Sequence, residues 1–217
     1  MSHSFHYVER PPTQQLNSPP PLLVLLHGLG SNERDLFAFA PHLDGRYHIL
    51  SVRAPRTYYQ GYAWFDLDFS RGMPQANSMQ LAESQRMLRD FLENIKQQYS
   101  TDRLYLGGFS QGAIMSYLTT LTQPSLVSGV LAMSGYIMKN PALPSVASDE
   151  LKAVPILATH GTRDQVLPVF LGRSTRDYLQ SLQLNFQYQE YPMGHEVSPA
   201  CFEDCRRWLA ERVADMT

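Results

Sequence analysis

The stretch that decides the architecture is Leu104-Tyr105-Leu106-Gly107-Gly108-Phe109-Ser110-Gln111-Gly112-Ala113-Ile114-Met115. Its start, Leu104–Gly107, reads as a buried strand, and Gln111–Leu121 reads as a helix that ends before Pro124. Between them lies a G-x-S-x-G pattern, Gly108-Phe109-Ser110-Gln111-Gly112. Three fixed positions in five are a weak signal alone. The strand running in and the helix running out supply the setting in which such a serine sits on a sharp turn, its hydroxyl above a sheet. Side chains two positions either side of Ser110 would collide with the neighbouring strand and helix, so both positions are glycine. The helix that follows aims free N–H groups and its positive end at whatever that hydroxyl attacks. Ser110 is read as a nucleophile, against the plainer reading of a buried serine in a glycine-rich turn.

Outward from this point, strand-like and helix-like segments alternate, the pattern of a mainly parallel sheet with helices on both faces. Apolar runs predict strands at Leu22–Leu26, His48–Val52, Gly129–Met133 and Pro155–Thr159. Leu184–Tyr191 alternates polar and apolar residues, as a strand nearer the edge does, and Phe5–Val8 is a weaker, antiparallel edge strand. Met79–Tyr99 is the clearest helix, with Leu81, Leu88, Phe91, Leu92, Ile95 and Tyr99 on one face and Asn77 or Ser78 as N-cap. Further helices are expected at Val169–Leu182 and Pro199–Val213. The 217 residues suit a single domain over the whole chain.

A serine hydroxyl needs an adjacent base, itself held by a third group. On this kind of strand–turn–helix platform the acid follows the nucleophile and the histidine comes last. Of seven histidines, only His195 lies after the last plausible acid, in a loop whose Pro192 and Gly194 are turn residues. Asp164 lies in a loop after a strand, where open α/β sheets bind their ligands. A carboxylate there can fix the tautomer of His195. Asp149, in a solvated polar run, and Asp177, inside a helix, are weaker rivals. The attacked carbonyl would need two backbone donors. One is the N–H of Gln111. The other is assigned to Leu29, in His27-Gly28-Leu29-Gly30-Ser31-Asn32, directly after Leu22–Leu26. His27 precedes the serine and is read as a structural residue that shapes the turn, as is His160. Gly28-Leu29-Gly30 lacks the lysine and the spacing of phosphate-binding loops.

The segment Arg53–Met73 holds Tyr58, Tyr59, Tyr62, Trp64, Phe65 and Phe69 and reads as a long loop. It is expected to wall an apolar groove in which Trp64, Phe65, Met73, Val166 and Leu167, with Leu29, touch substrate. The alternative is that the aromatics only pack the loop to the body.

Composition narrows the remaining classes. Hydrophobic residues are 43% and charged residues 18% of the chain, as in a globular protein. The net charge is −2, with 18 basic and 20 acidic side chains interspersed, so no basic block invites nucleic acid. The longest apolar run, Leu22–Leu26, is too short for membrane insertion, and the start of the chain lacks a signal-peptide pattern. A cytoplasmic protein is expected, and two cysteines agree with a reducing compartment. Cys201 and Cys205 stand four apart on a helix without third or fourth ligands, so no metal site is expected.

Taken together, these motifs resemble the phospholipase/carboxylesterase family, which includes acyl-protein thioesterases and small bacterial carboxylesterases. The likeness rests on Leu26-His27-Gly28-Leu29-Gly30, Trp64-Phe65-Asp66, Gly108–Gly112, His160–Pro168 and Tyr191-Pro192-Met193-Gly194-His195, and covers nearly the whole chain in order. It implies an α/β-hydrolase fold without a large cap and a Ser110–Asp164–His195 triad. N–H donors from Leu29 and Gln111, no cofactor and a homodimer follow from it too. The activity implied is hydrolysis of a small-molecule carboxylic ester, thioester or lysophospholipid through an acyl-enzyme. Two departures stand out: Ala113 replaces a second glycine, and Leu67–Asn77 does not match the substrate-covering loop of the eukaryotic thioesterases. The second favours short- to medium-chain esters, with acyl-protein thioesterase as the alternative. Dienelactone hydrolases use a cysteine nucleophile, against Ser110, and a catalytically silent binding module would be expected to lack a triad member.

Overall fold

The structure, a computed structural model, describes residues 5–14, 16–68 and 74–214. Seven strands make one sheet in the order β1-β3-β2-β8-β9-β10-β11. These are β1 (Tyr7–Arg10), β2 (Leu22–Leu26), β3 (His48–Val52), β8 (Leu104–Phe109), β9 (Gly129–Met133), β10 (Ile156–Gly161) and β11 (Phe186–Tyr191). All neighbours are parallel except β1, which runs antiparallel to β3. The short pairs β4 (Arg56–Tyr58)/β5 (Gly61–Ala63) and β6 (Leu67–Asp68)/β7 (Gln75–Ala76) lie apart from it. The helices are α1 (Ser78–Gln98), α2 (Gln111–Thr122), α3 (Asp149–Ala153), α4 (Val169–Ser181) and α5 (Pro199–Arg212).

The central strands are apolar on both sides because both sides are covered. Leu22, Val24 and Leu26 of β2 face the core that α1, α2 and α4 close, while Leu23 and Leu25 face the one closed by α5 and the 3₁₀ turn Leu36–His42. The same alternation holds for Leu104 and Leu106 against Tyr105, and for Val130 and Ala132 against Leu131 and Met133. This is the α/β-hydrolase arrangement. Strand order reverses between β3 and β8, the two neighbours of β2, so the loops leaving β2 and β8 flank the crevice where such sheets bind ligands.

The expected elements are present, with shifted ends. The edge strand covers residues 7–10 rather than 5–8, and the last strand starts at Phe186. Asn77, not Ser78, caps α1: its side chain accepts the N–H of Gln80 at 3.2 Å. The stretch read as one long loop carries β4 to β6, with β7 just beyond its end. Its first hairpin turns at Tyr59, in the left-handed region (φ 51°) without an Asn-Gly signature, which is why the pattern missed it. The exposed edge strand is pinned by its own side chains. Arg10 donates to the carbonyls of Ala40, Leu43, Asp44 and Tyr47, and Glu9 accepts from Tyr99 and pairs with His48.

Candidate active site

Ser110 stands between β8 and α2 with φ 53° and ψ −115°, a strained conformation for a residue with a side chain. Packing imposes the turn. A Cβ at Gly108 would fall 2.4 Å from the Gly112 carbonyl oxygen, and one at Gly112 would fall 1.9 Å from that of Leu26. Helix α2 is thereby pressed against the end of β2, and its first residue, Gln111, has an N–H with no intrahelical acceptor.

His195 comes from the loop between β11 and α5, and Asp164 from the loop after β10. The Ser110 hydroxyl donates to Nε2 of His195 at 2.8 Å, and Nδ1–H of His195 donates to Oδ2 of Asp164 at 2.7 Å. The carboxylate can only accept, which assigns the ring proton to Nδ1. Oδ1 of Asp164 accepts the N–H groups of Val166 (2.9 Å) and Leu167 (2.8 Å). Burial pushes the Asp164 carboxyl up, but the bonds from His195, Leu167 and Val166 outweigh it and hold the group below its ordinary value. It is therefore an anion throughout the neutral range. The ring of Phe109 lies 5.0 Å from that of His195. Three side chains from distant parts of the sequence are thus linked in one proton-transfer chain.

The loop after β2 closes the other side. Gly28 lies so near the serine that a Cβ there would be 3.3 Å from Cβ of Ser110. Gly30 N–H donates to the Tyr62 carbonyl and Tyr62 N–H to that of Ser31, so hairpin β4/β5 holds this loop by its backbone. Beneath it Arg53 forms two bonds to Glu33, both 2.7 Å, and stacks on Tyr62 at 4.5 Å. The guanidinium holds the nearly buried Glu33 carboxyl at about 2. Leu29 and Gln111, the expected donor residues, flank Ser110 on these two backbone segments.

Most of the residues expected to wall a groove are placed elsewhere. Trp64 and Phe65 are fully buried and belong to the core. The Trp64 N–H donates to Oε1 of Gln111 (2.8 Å), Nε2 of Gln111 donates to the Phe65 carbonyl (2.7 Å), and the Trp64 carbonyl accepts from Ser84. The backbone of these two residues is tied to α2 through Gln111, and their rings turn inward, whereas Tyr59 of the same loop is exposed. Leu167 is buried in the same core, whereas Val166 is exposed beside Asp164. Met73 lies outside the described residues. Asp149 and Asp177, the rival acids, lie on α3 and α4.

A cavity of about 720 Å³ is walled by Tyr136, Ile137 and Met138 after β9, Phe170 and Leu171 of α4, and Leu81 of α1. Its walls continue the segments that carry the site: α4 follows the Asp164 loop, and β9 pairs with β8 beneath Ser110. Tyr136–Met138 carry no motif. Their position past a strand's C-terminal end was the one available signal. Phe170, in the wall of the cavity, is half exposed. Among the described residues no helix is long and apolar enough to cross a membrane.

A profile of the phospholipase/carboxylesterase family matches residues 13–212. The chain is 28% identical over 172 residues to acyl-protein thioesterase 1 of Schizosaccharomyces pombe, covering 75% of this chain and 77% of that one. It is 26% identical over 155 residues to a probable carboxylesterase SOBER1-like protein of Arabidopsis thaliana, covering 70% of this chain and only 59% of that relative. The solved structure of esterase PE8 superposes with a TM-score of 0.80 at 26% identity, over 96% of this chain and 99% of that one.

Proposed function

The chain belongs to the phospholipase/carboxylesterase family, and on that premise we propose that it hydrolyses carboxylic esters through an acyl-enzyme formed on Ser110. The observation that carries the reading is the unbroken chain Ser110–His195–Asp164 at 2.8 and 2.7 Å. Neutral His195 accepts the serine proton as Oγ attacks the ester carbonyl. The resulting imidazolium is held by the Asp164 carboxylate and then gives its proton to the departing alkoxide. The N–H groups of Leu29 and Gln111 receive the developing oxyanion. Water activated by His195 then releases the acid in the mirror-image step. None of these steps calls for a cofactor.

The largely apolar cavity walled by residues that follow β9 and by α4, the helix after the Asp164 loop, supports an acyl chain as the group bound there. Short- to medium-chain esters are the substrates in this reading. Acyl-protein thioesterase activity is the second reading, favoured by the likeness to the S. pombe protein. The two unpaired thiols, Cys201 and Cys205, suit a cytoplasmic enzyme.

Labelling by a fluorophosphonate probe tests the mechanism. Wild-type protein should label and Ser110→Ala should not, whereas folded wild-type protein that fails to label would leave a binding module. A panel of p-nitrophenyl esters of rising chain length, set against an acyl thioester, tests the substrate. Preference tied to chain length that shifts in Phe170→Ala supports the groove, and indifference to length refutes it.

A further inference from the structure

The imidazole of His27 is fully buried and takes no part in the proton chain of the site. Its two nitrogens meet partners of fixed type. Nδ1 lies 2.7 Å from the carbonyl oxygen of Gly28, which can only accept, and Nε2 lies 3.0 Å from the N–H of Ala54, which can only donate. Both contacts are satisfied by one species alone, the neutral ring with its proton on Nδ1. A charged ring would set two N–H groups against each other at Ala54. Burial also disfavours the cation, against the smaller opposing effect of the bond to Gly28. The backbone of His27 is fixed in turn, since its carbonyl accepts Nε1–H of Trp64 at 3.0 Å.

The carbonyl that this ring grips is one half of the Gly28–Leu29 peptide. In a trans peptide C=O and N–H point in opposite directions from one rigid plane. Holding the oxygen therefore sets the direction of the Leu29 N–H. The plane stands close to the nucleophile, since a Cβ added to Gly28 would lie 3.3 Å from Cβ of Ser110. A second donor, the Ser31 N–H at 3.2 Å, keeps the Gly28 oxygen turned the same way.

We propose that His27 is a positioning residue that aims the Leu29 N–H at the oxyanion by holding the Gly28 carbonyl through its Nδ1–H, an inference that rests on the ester-hydrolase reading above. It acts through the peptide and touches neither substrate nor Ser110. Its contribution appears in the transition state, where charge develops on the oxygen that Leu29 N–H receives, and not in binding of the ground-state ester.

Two substitutions separate the two ends of the ring. Asparagine places an amide N–H near the position of Nδ1 and has nothing at Nε2. Glutamine places an oxygen near Nε2 to accept from Ala54 and has no donor for Gly28. Ester turnover by wild-type protein, absent in Ser110→Ala, secures the parent reading separately. In that active background His27→Gln should lower kcat by about 10²-fold with KM little changed, and weaken a trifluoromethyl ketone, which forms a tetrahedral adduct, by a similar factor. His27→Asn should stay within about tenfold of wild type in both. Equal losses in the two variants, the reverse order, or a loss confined to KM would overturn the proposal while leaving the triad intact. Nitrogen-15 NMR of the imidazoles of the wild-type protein provides a check independent of variant folding. Protonated Nδ1 and bare Nε2 at His27 are expected, and an Nε2–H tautomer or an imidazolium overturns the inference.

Discussion

Replacing Asp164 by asparagine separates the catalytic demand on this residue from its structural one. The carboxylate does two things through two oxygens. Oδ1 accepts the N–H groups of Val166 and Leu167, and Oδ2 accepts Nδ1–H of His195. Asparagine keeps one oxygen, which the two fixed N–H groups claim, so its amide nitrogen faces His195. Two donors cannot share that contact. His195 therefore moves its proton to Nε2 and then meets the Ser110 hydroxyl with a donor where it needs a lone pair. The expected loss in kcat is roughly 10⁴-fold, about 5.4 kcal/mol of transition-state stabilisation. Stability should change little, since both backbone donors stay satisfied. Asp164→Ala removes their acceptor, and at roughly 1–3 kcal/mol for the buried Leu167 donor it should lose at least about 1–3 kcal/mol as well as activity. The assay pairs p-nitrophenyl ester hydrolysis with urea denaturation of all three proteins. An Asp164→Asn enzyme within tenfold of wild type, or one as unstable as the alanine variant, would refute the reasoning.

Gly112→Ala puts a methyl group 1.9 Å from the Leu26 carbonyl oxygen and should lose at least about 1–3 kcal/mol in urea denaturation, whereas Gly194→Ala meets nothing within 4 Å and should be neutral. Gln111→Ala leaves the Trp64 N–H and the Phe65 carbonyl unpaired in the core and should lose roughly 1–3 kcal/mol for each. Glu33 is depressed in the folded state to about 2 by Arg53, from an ordinary 4.5. Its contribution is therefore complete above the unfolded value and fades as pH falls from about 4.5 towards 2. Melting temperatures across that window should fall more steeply for wild type than for Glu33→Gln, and parallel curves would contradict the pairing.

What the sequence disclosed follows from how locally each feature is determined. Strands β2, β3 and β9 occupy the residues their apolar runs indicate, because a strand covered on both faces leaves no ambiguity of pattern. Chain order and loop position sufficed to pick Ser110, Asp164 and His195, which the fold brings within hydrogen-bond reach of one another. The groove was a different matter. An aromatic run in a loop reads alike whether its rings face a ligand or the core, and Trp64 and Phe65 face the core because Gln111 and Ser84 bind their backbone. Those bonds join residues far apart in the chain, so no local pattern reveals them. His27 reads as shaping its turn, and the carbonyl it holds is that of the next residue, Gly28, but the Ala54 N–H that holds its other nitrogen becomes visible only when β2 and β3 lie side by side.

The order in which this chain is made has a consequence at Arg10. Strand β1 precedes the other described strands in the sequence, yet its partner in the sheet is β3, which begins at His48. The four oxygens its guanidinium collects belong to residues 40, 43, 44 and 47, just ahead of that strand. Strand β1 has neither its sheet partner nor these acceptors until this stretch has left the ribosome, and the two arrive together, ahead of Tyr99, which donates to Glu9. Shortening the chain past position 10 would remove the fastener, leaving the Ala40 and Asp44 carbonyls with the backbone N–H groups of Leu43 and Tyr47, and the carbonyls of Leu43 and Tyr47 without the guanidinium. The body of the sheet, from β2 to β11, would keep its own ladder.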